Sequence, residues 1–168
     1  MIIPFKDKLP SVDKAIYIAP SADIIGDVTL FDNTSIWPHV TIRGDMASIT
    51  IMENTNVQDN TVIHVNTNMP TLIGRDVTIG HSAILHACTI KDHVLVGMGA
   101  IILNEAVIGE YSLVAAGSVV PPGKVFPPKS LIMGNPAKVV RELREQEMVD
   151  IQNNCNHYIE LATIYHNQ

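Results

Sequence analysis

The chain is 168 residues long with a formal net charge of −6, which suits one domain and leaves little to neutralise a run of phosphates. Its cations form no basic run, Arg141 to Arg144 being broken by Glu142 and Leu143, so a nucleic-acid partner is excluded. No apolar stretch approaches the roughly 20 residues that cross a bilayer, so no membrane partner is expected either.

Hydrophobic residues make up 46% of the chain but aromatics only 5%, so the interior must be built mainly from small, β-branched side chains. That favours narrow, repetitive packing over a conventional sandwich. Two cysteines, Cys88 and Cys155, make no disulfide framework and point to a reducing compartment. The opening MIIPFKDKLP carries Lys6, Asp7 and Lys8 where a signal peptide needs its apolar segment. The expected location is cytoplasmic.

Laid out in sixes, the chain repeats itself. Aliphatic residues open IAPSAD (18–23), IIGDVT (24–29), LFDNTS (30–35) and IWPHVT (36–41), and a further repeat opens at Ile42. After an insertion come IMENTN (51–56), VQDNTV (57–62) and IHVNTN (63–68), and after MPTL come IGRDVT (73–78), IGHSAI (79–84) and a short LHACT (85–89). Five more repeats run from Ile90 to Val119. A period of six is neither helical nor a simple alternation. Three short strands joined by tight bends satisfy it, with the aliphatic residues pointing inward and successive coils about 4.8 Å apart. Gly26, Gly74, Gly80, Gly97 and Gly109 suit positions where a side chain would clash or φ is unusual.

After Val120 the prolines of PPGKVFPPKS are expected to end pairing. The predicted organisation is a β-helix over residues 1–125, a proline-rich connection over 126–135, and a C-terminal α-helix over 136–168 that belongs to the same domain. Asn135 reads as its N-cap and Pro136 as its first residue. Val140, Leu143, Met148, Ile151, Cys155, Tyr158, Ile159, Ala162 and Tyr165 then recur at helical steps.

Three repeats make one coil, so residues three repeats apart share a side. His64 and His86 each follow an opening aliphatic residue, one coil apart, and should stack outward about 5 Å apart at the backbone. Two such imidazoles could share a zinc ion, which takes nitrogen at about 2.0–2.1 Å. His81 lies on the neighbouring side with Gln58 and Asp59, out of reach of that point within one chain. A three-fold assembly would bring this side against the His64 side of the next subunit, placing the ion between subunits. Arg43 shares the side of His64 and could meet Asp59 across such an interface, with Asp45 holding the guanidinium from its own chain.

The runs IRGD (42–45), NVQDN (56–60) followed by His64, GHSAILH (80–86) and GNPAK (134–138) resemble the γ-class carbonic anhydrase family along essentially the whole chain. The resemblance implies a single-stranded, left-handed parallel β-helix and a homotrimer. It also implies zinc, or alternatively iron or cobalt, held by His64 and His86 of one subunit and His81 of another. The residues matching Arg43, Asp45 and Asp59 form an interface network in that family, and the one matching Gln58 contacts metal-bound solvent. An open fourth position lowers the pKa of bound water to about 7, and the hydroxide would hydrate CO2 reversibly to bicarbonate. The expected class is therefore a lyase, carbonate dehydratase. Tyr158 could reach the pocket, as a helix tyrosine does in relatives, or could simply pack the helix.

The match departs from the best-known members in its acids. Met46 follows Asp45, and VNTNMPT (65–71) holds no carboxylate, so the chain falls in a compact subgroup without the acidic loop. Alternative readings are a metal-dependent thioesterase, a hexapeptide-repeat acyltransferase, and a non-catalytic metal-fastened scaffold. His39, His93, His157 and His166 read as surface residues, Cys88 as a buried apolar group, and Glu142 to Asp150 as a solvated helix face.

Overall fold

The computed structural model covers residues 1–168 and shows stacked coils of short parallel strands followed by one α-helix, Glu145–His166. Each coil has three sides. The first stacks Ile24, Ile42, Ile63, Leu85, Ile102 and Val120 in register. The second stacks Leu30, Ile51, Ile73, Ile90, Ile108 and Phe126. The third stacks Ile18, Ile36, Val57, Ile79, Val96, Val114 and Ile132. All but Ile18 are buried and belong to a single core cluster. The six-residue period therefore sets the core directly, because each opening residue meets its counterpart one coil away.

At most corners the residue three after an opener makes the turn, with its backbone in the left-handed region. Asn33, Asn54, Asp76, His93 and Tyr111 form one such column, with φ between 54° and 62°. Asn and Asp tolerate this conformation best, and here they also link up the column. Asn33 Nδ2 donates to Asn54 Oδ1 at 3.2 Å and Asn54 Nδ2 to Asp76 Oδ1 at 3.0 Å. His93 stacks on Tyr111, 4.5 Å between ring centres, and bonds Gln152 of the helix at 2.9 Å. It is thus a half-buried contact of the helix, where the sequence suggested a free surface residue.

The coils continue past Val120, contrary to expectation. Phe126 and Ile132 add a further turn, pairing with Ile108 and Val114. Pro121 and Pro127 directly follow the last openers of the first and second sides. No further coil stacks above them there, so their missing N–H groups cost no ladder bond.

The helix also starts later than its pattern suggests. Ala137–Glu142 forms a strand antiparallel to Ser130–Gly134, the two joined through a cis Asn135–Pro136 peptide. This return strand covers the open edge of the third side, so Asn135 and Pro136 turn a hairpin instead of capping a helix. The helix begins at Glu145, where the Glu147 carboxylate accepts the Arg144 N–H at 2.8 Å and two bonds from the Arg141 guanidinium at 2.7 and 2.8 Å. Ile151, Cys155 and Ala162 bury one stripe of it, while Trp37 packs among Tyr17, Tyr158 and Tyr165 with ring centres 5.2–5.5 Å apart. No helix is long and apolar enough to cross a membrane.

Candidate metal centre

The register of the first side puts His86 directly beside His64, and Arg43 on the other flank of His64. Both imidazoles are half-buried, with ring centres 5.1 Å apart. His64 Nε2 lies 2.9 Å from Asp45 Oδ1, and His86 Nδ1 lies 2.6 Å from Asn104 Oδ1. A carboxylate or an amide oxygen only accepts, so each of these outer ring nitrogens carries the proton. In the neutral rings the inner nitrogens, His64 Nδ1 and His86 Nε2, are then the lone-pair atoms, and they face each other at 3.2 Å. Two lone pairs that close repel unless something positive lies against both.

That spacing decides the fit to a metal. Two nitrogens bound to one tetrahedral zinc at 2.0–2.1 Å stand about 3.3 Å apart. The pair is therefore spaced as two nitrogen ligands of one ion require. Asp45 and Asn104 hold the rings from behind, as oxygen acceptors behind metal-bound histidines do.

His81 occupies the third side, one coil above the Gln58–Asp59 pair, in the column set by Val57 and Ile79. His81 Nδ1 sits 2.9 Å from Asp59 Oδ2, both side chains about one third exposed. Its Nε2 is left free for a further partner. No three His, Cys, Asp or Glu side chains of one chain converge on a common point, and His81 faces away from the His64–His86 pair.

Arg43 pairs with Asp45 of its own chain. Burial works to raise the Asp45 carboxyl, but bonds from His64 and Arg43, together with the Arg43 charge, outweigh it and hold it below the usual carboxylate range. Gln58 is buried and donates to Asn56 Oδ1 at 3.2 Å. Asn56 in turn donates to Thr78 Oγ1 at 2.9 Å, and Thr78 to Asn154 Oδ1 of the helix at 3.3 Å. Tyr158 packs edge-on against Trp37, and burial followed by the Asp59 charge raises its hydroxyl above the ordinary value.

The comparisons place the chain in a family. Residues 87–122 match the repeat family described as bacterial transferase hexapeptide (six repeats). A carbonic anhydrase of Geobacillus kaustophilus is 46% identical over 165 residues, covering 98% of this chain and 91% of that one. The chain belongs to the γ-class carbonic anhydrase family. The mitochondrial γ carbonic anhydrase 2 of Arabidopsis thaliana is 45% identical over 165 residues, and this chain spans 59% of its length. A hexapeptide transferase family protein of Anaplasma phagocytophilum superposes with a TM-score of 0.94 at 44% identity, covering 98% of each chain.

The motifs that suggested the γ-class carbonic anhydrase family lie on the first and third sides of the coils, except GNPAK in the hairpin. Two functional candidates escaped the sequence reading. Asn104 stands one coil above His86, two residues after the opener Ile102, which pairs with Leu85. Counting one coil forward from His86 reaches Leu103, and Asn104 is the next residue. Asn154 reaches Thr78 from the helix, and no local pattern marks that contact.

Proposed function

We propose that the protein is a metal-dependent carbonic anhydrase that hydrates CO2 reversibly to bicarbonate at sites shared between the subunits of a homotrimer. One observation carries this reading. His64 and His86 each have one ring nitrogen hydrogen-bonded to oxygen, of Asp45 and Asn104 respectively, and His81 Nδ1 lies 2.9 Å from Asp59 Oδ2. The other nitrogen of each ring is left to bind.

His64 and His86 of one subunit and His81 of the next would hold zinc, or alternatively iron or cobalt, since the donor set suits all three. A divalent ion so held supplies a water activated near neutral pH for attack on a carbonyl-type carbon. The rest falls to the chain itself. Asp45, Asn104 and Asp59 fix ring orientation and tautomer, while Gln58, anchored on Asn56, presents an amide to orient the reacting oxygens. The Arg43–Asp45 pair fixes the rim where Asp59 of a neighbour would dock. Tyr158 packs the helix against Trp37 on the third side, where the Asp59 charge reaches its hydroxyl. A proton must leave on each turnover, and Asp7 and Asp27 line the depression of about 200 Å³ that adjoins Asp45 and Met46. The cytoplasmic location read from the sequence stands as part of the same proposal.

The transferase name of a close structural relative keeps acyl transfer as the second reading. Metal content and CO2 hydration, measured on the same purified sample, decide between them. One ion per chain with hydration supports the proposal. Hydration that stays absent with the metal loaded, alongside turnover of an acyl thioester, would replace it.

A further inference from the structure

We propose that Asn104 is a positioning residue for the metal. It holds the proton of His86 on Nδ1 and so commits Nε2 to the ion, an inference that rests on the metal-site reading above. The bond is short, 2.6 Å from Nδ1 to Oδ1, against 2.9 Å for the His64–Asp45 bond and 2.9 Å between His81 Nδ1 and Asp59 Oδ2. It also differs from them in charge. Asp45 and Asp59 are carboxylates and can only accept from a ring N–H. Asn104 is neutral and could in principle donate through its amide nitrogen instead.

The orientation of that one amide therefore decides what the pair of histidines can do. With Oδ1 toward the ring, His86 Nε2 offers a lone pair. With the amide turned, Nδ1 would accept, Nε2 would carry the proton, and His86 would donate to His64 Nδ1 across the 3.2 Å gap. That second state is a closed hydrogen-bonded chain with no room for an ion. The structure has the first state. The Asn104 main chain is fixed by its carbonyl, which accepts the Gly123 N–H at 2.8 Å, and the one hydrogen bond recorded for its amide is the Oδ1 contact with His86. A neutral acceptor here has a further consequence: it orients His86 without adding a third negative charge behind the ion.

The test uses Asn104→Leu, which is nearly isosteric but accepts nothing, and Asn104→Asp, which can only accept. Zinc affinity is measured by chelator competition. The His86 ring nitrogens are read by 15N NMR at about pH 8, where an ordinary histidine is neutral, in metal-free and zinc-loaded protein. The expected result is a proton on His86 Nδ1 in both states of the wild type. Asn104→Leu should lose it in the metal-free protein and bind zinc about 10- to 100-fold more weakly, while Asn104→Asp keeps the tautomer and the affinity. A wild-type His86 protonated on Nε2 in the metal-free protein would overturn the proposal, as would unchanged affinity and tautomer in Asn104→Leu. Wild-type protein that binds no zinc would refute the metal-site reading instead, and the metal-free tautomer would still decide the role of Asn104.

Discussion

Gly80 precedes His81 and couples the stacking of coils to the third ligand candidate. A Cβ there would lie 2.8 Å from both the Met98 amide nitrogen and the Val96 carbonyl oxygen of the next coil, whereas ordinary contact begins at 3.4 Å. Both obstacles are backbone, so Gly80→Ala must part the coils locally by roughly 0.6 Å in an interior packed at crystal density. The Gly80 N–H bond to Val96 O, 2.8 Å long, then stretches towards the limit of a useful hydrogen bond. Weakening one buried backbone pair costs about 1–3 kcal/mol. The same shift moves His81, and a sub-ångström displacement of one ligand should lower metal affinity by about tenfold. Gly99→Ala is the control. Nothing lies within 4 Å of its Cβ, but φ is +65°, so only the left-handed strain of about 1–2 kcal/mol applies. Urea unfolding at fixed protomer concentration, with metal content on the same samples, checks both. Gly80→Ala within about 0.5 kcal/mol of wild type, with its metal intact, would refute the coupling.

Leu85→Ala, beneath His86 in the fully buried core, should cost about 2–5 kcal/mol in denaturant unfolding. Burial pushes the thiols of Cys88 and Cys155 up to about 12, so iodoacetamide should leave both untouched in the native protein at mild alkaline pH and modify both after unfolding. Asp45 has a folded-state pKa below its unfolded one, so its contribution is complete above the ordinary carboxylate range and is lost as pH falls through the lowered value. Asp45→Asn should flatten the stability profile over that acid range, and equal slopes for mutant and wild type would contradict this. Tyr158→Phe keeps the packing on Trp37, so unfolding should shift by less than about 0.5 kcal/mol. A large loss of hydration in that variant would place the hydroxyl at the site.

Much of the fold was legible because one constraint repeats. Every opener from Ile24 to Val114 that the six-residue frame named is buried, and the same frame put His64 beside His86 and His81 beside the Gln58–Asp59 pair. The frame failed where local signals have two meanings. Pro121 and Pro127 read as an end to pairing, yet they stand at the free edge where no partner needs their N–H. Asn135 and Pro136 read as a helix start and in fact close a hairpin, because the open edge of the third side gains more from a return strand than from another helical turn. Within one chain Arg43 pairs with Asp45, as its spacing suggested, while Asp59 lies 2.9 Å from His81, a contact the frame did not provide. Asn104 was invisible to a reading of motifs, since only the neighbouring coil supplies its meaning.

If His81 serves a neighbouring chain, subunit mixing shows it most directly. His64→Ala and His81→Ala are each expected to lose the metal when purified alone. Co-expressed in equal amounts, they should assemble mixed trimers that regain about a quarter of the wild-type metal, because about one in four interfaces pairs an intact His64–His86 wall with an intact His81. Mixed trimers that stay metal-free, from parents that fold and assemble normally, would contradict it.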